Sequence, residues 1–168
     1  MKERMLTVSD ITVEDFQGYG LYLDTETAQP AHESEQFNFW NKLAVLPLKS
    51  ASFCIVESYP QGAMESSTFE QHGDTPEVLI PTDGEIVLVI ALPDKDDNAR
   101  IDMDSVKAFR LPAGKAVVLK PFVWHYAPLV KDRPVKTFVV FEEQTPDNDL
   151  HMRYTDQEQE VIFKVEGI

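Results

Sequence analysis

Between Phe69 and Ala91 the chain reads FEQHGDTPEVLIPTDGEIVLVIA, with Glu70 two residues before His72, then Glu77, then Gly84 ahead of an apolar run. Side chains alternate faces along an extended strand, so Glu70 and His72 point the same way. An acid and an imidazole on one face meet solvent or enter a shared cavity. A second imidazole, His125, follows in KPFVWHYAPL. A lone histidine is ordinarily a half-buried structural residue, but two with acids alongside favour the shared cavity. Neutral imidazole is suited to proton transfer near neutral pH. Glu77 follows Pro76 at a strand start, where it faces solvent or joins the site. His32 and His151 lie in polar stretches and read as surface residues.

The other candidates serve binding. Lys120 lies five residues before His125, beyond which Pro121 makes strand counting unsafe. Outward solvation is the default for lysine; turned inward, Lys120 would supply the positive charge that a carboxylate substrate needs. Arg110 and Lys115 are its rivals. Trp124 reads as a packing residue, or as an aromatic wall keeping water from a site.

These residues need a scaffold, and the chain supplies strands. ASFCIVES, SSTFEQH, EVLIPT, EIVLVIAL, VKAFRL, KAVVLK and VKTFVVFE are short, rich in Val, Ile and Phe, and bounded by Pro, Gly and Asp. PTDGE reads as a hairpin turn in which Asp-Gly supplies positive φ, and LPAG as another turn. SDITVEDFQGYG predicts a strand and a short helical turn, with Ser9, Asp10 or Thr12 as caps. Residues 25–36 and DKDDNARIDMD read as loops. This is an all-β pattern of sandwich or barrel type, with minor helical turns. Phe53, Ile55, Leu79, Val87, Val89, Phe109, Val118, Phe138 and Val140 are the expected core.

The 168 residues suffice for one domain with a real core, 1–168. A net charge of −14 argues against nucleic acid and against anionic membrane surfaces as partners. No apolar stretch approaches the length of a bilayer span, and the N-terminus lacks a signal-peptide core. The single cysteine, Cys54, permits no internal disulfide. It reads as a small core residue, and the chain as cytoplasmic.

The spacing Glu70-x-His72-x4-Glu77-x6-Gly84 is similar to the first motif of the cupin barrels, where two histidines one residue apart precede a glutamate and a glycine. GKAVVLKPFVWH, with Gly114, Pro121 and His125, is similar to the second. The resemblance implies a double-stranded β-helix, or jelly-roll barrel. In it Glu70, His72, Glu77 and His125 converge on one divalent metal ion, with Glu70 standing where the motif has histidine. Two imidazoles with one or two carboxylates suit Zn, Mn, Fe or Ni and leave a position open for substrate. Glu70 could instead orient His72.

A narrower resemblance is to the ureidoglycolate lyase (ureidoglycolate hydrolase) family of allantoin degradation. It rests on FEQHGDTPEVLIPTDGEIVLVIALP and VWHYAPL, on FQGYG from Phe16 to Gly20, and on PDNDL at 146–150. It implies release of urea and glyoxylate from ureidoglycolate, a small-molecule substrate and a homodimer. His72, His125 and Glu70 would then be catalytic, and Lys120 and Trp124 would meet the substrate. Two departures stand out. Lyases of the family carry an arginine on the strand before the acid-x-His pair, where this chain has CIVESYP with Glu57 and Ser58. Glu77 also occupies a position often neutral in them, which restores a fuller metal set. The first departure keeps a different class open: a cupin binding or isomerising a sugar acid or other small metabolite, without lyase activity. A metal-dependent oxygenase is a third.

Overall fold

The computed structural model describes residues 1–168. Fifteen strands follow in chain order: β1 (Lys2–Thr7), β2 (Ser9–Asp10), β3 (Gly20–Tyr22), β4 (His32–Glu33), β5 (Asn38–Phe39), β6 (Ala51–Ser58), β7 (Glu65–Ser66), β8 (Thr68–Gln71), β9 (Glu77–Pro81), β10 (Ile86–Ile90), β11 (Lys107–Leu111), β12 (Val117–Leu119), β13 (Val135–Glu142), β14 (His151–Tyr154) and β15 (Val161–Glu166). Helical turns are short: α1 (Val13–Phe16), α2 (Thr145–Asn148) and α3 (Thr155–Glu158). The Thr12 hydroxyl caps α1 by accepting from the Asp15 amide at 3.1 Å. No helix is long and apolar enough to cross a membrane.

A five-stranded sheet in the order β3-β12-β9-β13-β6 lies across from a three-stranded sheet in the order β10-β11-β2. Leu79, Val117, Leu119, Val139 and Phe141 of the first share one core with Ile86, Leu88, Ile90, Phe109 and Leu111 of the second. Consecutive strands step between the sheets, from β9 to β10 and from β11 to β12, as in a cupin-type jelly roll whose strand pairing does not close all round. The parallel pair β1–β15 covers the far side of β10 and β11. There Leu6, Val161, Phe163 and Val165 pack with Val87, Val89 and Ala108. Both faces of β10 are therefore buried, which is why IVLVI is apolar throughout rather than alternating.

The structure corrects two expectations. Phe53, Ile55 and Phe138 are exposed, at 75%, 58% and 41%, and lie on the outer face of the β6–β13 pair. The inner face of β6 carries the smaller Ser52, Cys54, Val56 and Ser58 instead, because alternation commits every second residue to the same side. The other six expected core residues are buried. PTDGE closes no hairpin: β9 and β10 belong to different sheets, and the left-handed glycines are Gly114, in the LPAG turn, and Gly167. Gly84 is needed for space, since a Cβ there would stand 2.7 Å from the Val135 side chain. The residues after the polar TDQEQE stretch form β15, a strand that needs β1 as its partner.

Gly20 shows how tightly β3 sits on β12, because a Cβ there would collide with the Val118 carbonyl. Gly20→Ala is expected to lower stability in urea unfolding by about 1–3 kcal/mol, the range of overpacking. Gly18→Ala, with open space around its Cβ, should stay within about 0.5 kcal/mol of the parent.

Candidate functional site

One pair of backbone hydrogen bonds assembles the site. The Glu70 amide, on β8, donates to the His125 carbonyl at 2.5 Å, and the His125 amide donates back to Glu70 at 2.9 Å. Beside them the Phe122 amide donates to the His72 carbonyl at 2.7 Å. After β12 the chain bends at Pro121 and Phe122, whose φ of 69° is left-handed, and then runs antiparallel to residues 70–72. Directly opposed residues on paired strands share a face, so Glu70 and His125 project together. Glu77 opens β9 opposite Leu119 and reaches the same point from the other sheet. His72, Glu77 and His125 are buried, while Glu70 keeps partial access.

Each imidazole is fixed through its Nδ1. His72 Nδ1 lies 2.7 Å from the Asp149 carbonyl and His125 Nδ1 lies 2.9 Å from the Val123 carbonyl. A carbonyl only accepts, so both Nδ1 atoms carry hydrogen, and in the neutral ring Nε2 presents a lone pair. The Nε2 atoms stand 3.2 Å (His72) and 2.9 Å (His125) from Glu77 Oε2, and His125 Nε2 stands 3.8 Å from Glu70 Oε1. Despite the short spacing, His125 Nε2 and Glu77 Oε2 make no hydrogen bond of good geometry. The ligand atoms of Glu70, His72 and His125 all lie within 4.8 Å of one another. N and O donors held about 2.0–2.2 Å from a cation stand about 3.0–3.6 Å apart around it. Orphaned buried donors at this spacing, with fixed tautomers, fit a divalent cation.

The electrostatics agree. Two carboxylates facing two neutral imidazoles leave a charge of −2 in a buried place, which a divalent cation or two protons would balance. In the metal-free chain the imidazoles hold protons more tightly than a free histidine does. Burial opposes charge on His72 and His125, but the Glu77 carboxylate outweighs it and raises both, His125 to about 9. Burial alone would raise Glu77; the His125 and His72 imidazoles override it and hold that carboxyl at about 2. Glu70 is raised, by burial first, against the pull of His125 and with the push of Glu77.

A cavity of about 170 Å³ opens onto Glu70, His72 and Glu77, walled by Cys54, Val56, Val139 and Phe141 and edged by α2. Neither lysine nor arginine lines it. Lys120, expected to face the substrate, instead donates its ammonium to the Gln17 and Gly18 carbonyls, at 2.6 and 3.2 Å, on the solvent side. An odd separation of five residues already sets Lys120 and His125 on opposite faces of extended backbone, and the Gln17 and Gly18 carbonyls hold the ammonium outside. Arg110 pairs with Asp10 and Lys115 with Glu26. Trp124 does not meet the cavity either. It is fully buried in the second core, with Nε1 donating to the Arg100 carbonyl at 3.1 Å. It points opposite to His125, as neighbours on extended backbone do. Cys54 is half-buried and forms part of the cavity wall rather than the core interior.

Sequence reasoning missed Asp149. Its carbonyl orients His72 while its carboxylate accepts from the Gly73 and Asp74 amides, both at 2.8 Å, clamping the turn between β8 and β9. Its only signal in the sequence was membership of the PDNDL segment.

The model of the ureidoglycolate lyase family matches residues 3–162, and the chain belongs to that family. No curated protein sequence matches it. Among solved structures, oxalate decarboxylase from Bacillus subtilis at pH 4.6 is similar at 16% identity over 65% of this chain and 24% of its own, with a TM-score of 0.43. Fe(II)-HppE is similar at 22% identity over 55% of this chain and 42% of its own, with a TM-score of 0.37. The chain spans about a quarter of the length of the oxalate decarboxylase chains it matches.

The charge balance has a sign that stability reports. In chelated protein, the raised His125 contributes stability fully present below the ordinary histidine value of about 6.5 and lost as pH rises through about 9. The lowered Glu77 contributes stability present above the ordinary glutamate value of about 4.3 and lost as pH falls towards about 2. The thermal midpoint of chelated protein should therefore fall between about pH 6.5 and 9. Glu77→Gln should flatten that fall, as calorimetry across the range would show.

Proposed function

We propose that the chain is a metal-assisted lyase that splits ureidoglycolate into urea and glyoxylate, the small-molecule chemistry named by its family. The observation that carries this reading is the pair of imidazoles whose Nδ1 atoms are fixed by carbonyls and whose Nε2 atoms crowd one carboxylate oxygen. His72, Glu77 and His125 would hold the ion, of Zn, Mn, Fe or Ni type, with Glu70 as a fourth ligand or as the proton carrier. When bound, the ion would supply positive charge to the substrate's carboxylate and hydroxyl and lower the hydroxyl pKa. The cavity wall has no cation of its own to do so.

The chain's own residues account for the rest. Glu70 is the least buried of the four acids and imidazoles and its pKa is raised, so it is a stronger base than an exposed carboxylate. It takes the substrate hydroxyl proton as the carbon–oxygen bond becomes a carbonyl. The carbon–nitrogen bond breaks, and the same proton passes to the departing nitrogen. Urea and glyoxylate then account for every atom. Val56, Val139 and Phe141 keep the wall apolar, and the carbonyls behind His72 and His125 hold both rings in place.

A homodimer is part of the proposal. β6 is the edge of its sheet and shows Phe53 and Ile55 to solvent beside Phe138. An apolar edge pairs readily with its own copy about a two-fold axis. The single cysteine suits a cytoplasmic setting.

Glyoxylate release from racemic ureidoglycolate, measured with and without prior chelation, tests the reading. Release should be lost on chelation and restored by a divalent ion, and His125→Ala should lower it by about 10²–10⁴-fold. Release that survives chelation would move the base to His72 or His125. None above the spontaneous background would favour a cupin that binds or isomerises a sugar acid. In light scattering, the double replacement Phe53→Glu and Ile55→Glu should yield a monomer with parent-like circular dichroism.

A further inference from the structure

The ligand cluster's cavity is small, about 170 Å³, and a second cavity of about 550 Å³ lies beside it. The two are stretches of one interior. On β6, Cys54 and Val56 wall the first, and Val56 and Ser58 wall the second. On β8, Glu70 lines the first and Thr68 the second. Each step runs along a single strand face, since alternate residues share a side and stand about 7 Å apart. Thr68 and Glu70 are half-buried, while Phe69 and Gln71, on the other side of β8, are buried. Val56 is the one side chain that meets both spaces.

The walls of the first cavity differ in what stands behind them. Val139 and Phe141 of β13 are buried in the main core. Pro146 of α2 and Leu150 stand on the segment whose Asp149 carbonyl fixes His72. Behind Val56 there is open space, the larger cavity. Val56 is half-buried against the main core and lies opposite Thr137 of β13. Its branched side chain is stiff about χ1, so it stands as a fixed partition and not as a lid.

Charge sets the direction in which a bound acid points. Glu57 and Glu65 line the larger cavity, and neither lysine nor arginine does, so a carboxylate is repelled there. The acid end belongs at the cluster, and only an uncharged chain would extend past Val56. We propose that Val56 is the specificity-determining residue of the site: it restricts the cluster to 2-hydroxy acids with short chains by closing off the space that a longer chain would enter. The inference rests on the reading of the cluster as a metal-assisted site for a hydroxy acid, and adds what sets the size of that acid. Removing two methyl groups at Val56 joins the two cavities. Removing the same two at Val139, which lines the first cavity alone, opens no such path.

Glycolate, lactate and 2-hydroxyhexanoate are inert probes that differ only in chain length. Their affinities for metal-loaded protein are measured by calorimetry. In the parent, 2-hydroxyhexanoate should bind at least tenfold more weakly than glycolate. Val56→Ala should raise the ratio of 2-hydroxyhexanoate affinity to glycolate affinity roughly tenfold or more, the low end of what one methylene decides in a hydrophobic pocket. Val139→Ala should leave that ratio as in the parent. Val56→Ile, which keeps the wall filled and serves if Val56→Ala misfolds, should lower the ratio of lactate to glycolate affinity. A parent that binds all three alike or none, an unchanged ratio in the folded Val56 variants, or equal gains in Val56→Ala and Val139→Ala would overturn the gate. Turnover of ureidoglycolate alongside those results would leave the lyase standing; shifted ratios without turnover would leave the gate standing and remove the lyase.

Discussion

The reciprocal backbone bonds between Glu70 and His125 are the constraint on which the rest of the site depends. The two histidines belong to segments far apart in the chain, and neither segment forms a site alone. Once residues 122–125 run antiparallel to 70–72, His72 and His125 come to lie with ring centroids 5.4 Å apart. Glu77 closes the group from the opposite sheet. The cost of burying carboxylates next to imidazoles then dictates what else must be present. The charge has to be met by protons or by a cation, because the wall around it supplies neither lysine nor arginine.

The layers around this pair hold it still. Trp124 and His125 are adjacent and point opposite ways, so the segment that brings the imidazole to the cavity is anchored by an indole in the second core. Phe69 does the same on the neighbouring strand: it packs edge-on against Phe163 of β15, while Glu70 turns to the site. The parallel β1–β15 pair thus bears on a candidate site it never touches: it buries the back of the segments whose fronts carry Glu70 and His125. Asp149 completes the support, since one residue fixes both the His72 ring and the turn leading to Glu77.

The cavity and its neighbour share one strand, β6, and the character of that strand decides both. Its inner face is small and weakly polar, which leaves open space beside the ligands. Its outer face is bulky and apolar and sits at a sheet edge. The −14 net charge is a property of loops and tail. What matters for binding an anion is that neither lysine nor arginine lines the cavity at the cluster.

Much of this was legible along the chain. The Glu70–His72 alternation and the Glu77 and His125 spacings mark the residues that the structure draws together. β6 and the strands from β8 to β13 fall in the runs marked by Val, Ile and Phe. The chain by itself marked the strands β6 and β8 to β13, a set of possible caps that included Thr12, and the candidate donors, because these follow from local alternation, turn chemistry and side-chain type. Only the tertiary structure decided the rest. The face on which Phe53, Ile55 and Phe138 lie depends on which side of a strand meets the other sheet, and periodicity alone is the same for both. Lys120 turns out to the Gln17 and Gly18 carbonyls and Trp124 backs onto the second core, choices that depend on which remote elements pack beside them. Asp149 acts through a carbonyl and two remote amides, partners that exist only once the chain has closed on itself.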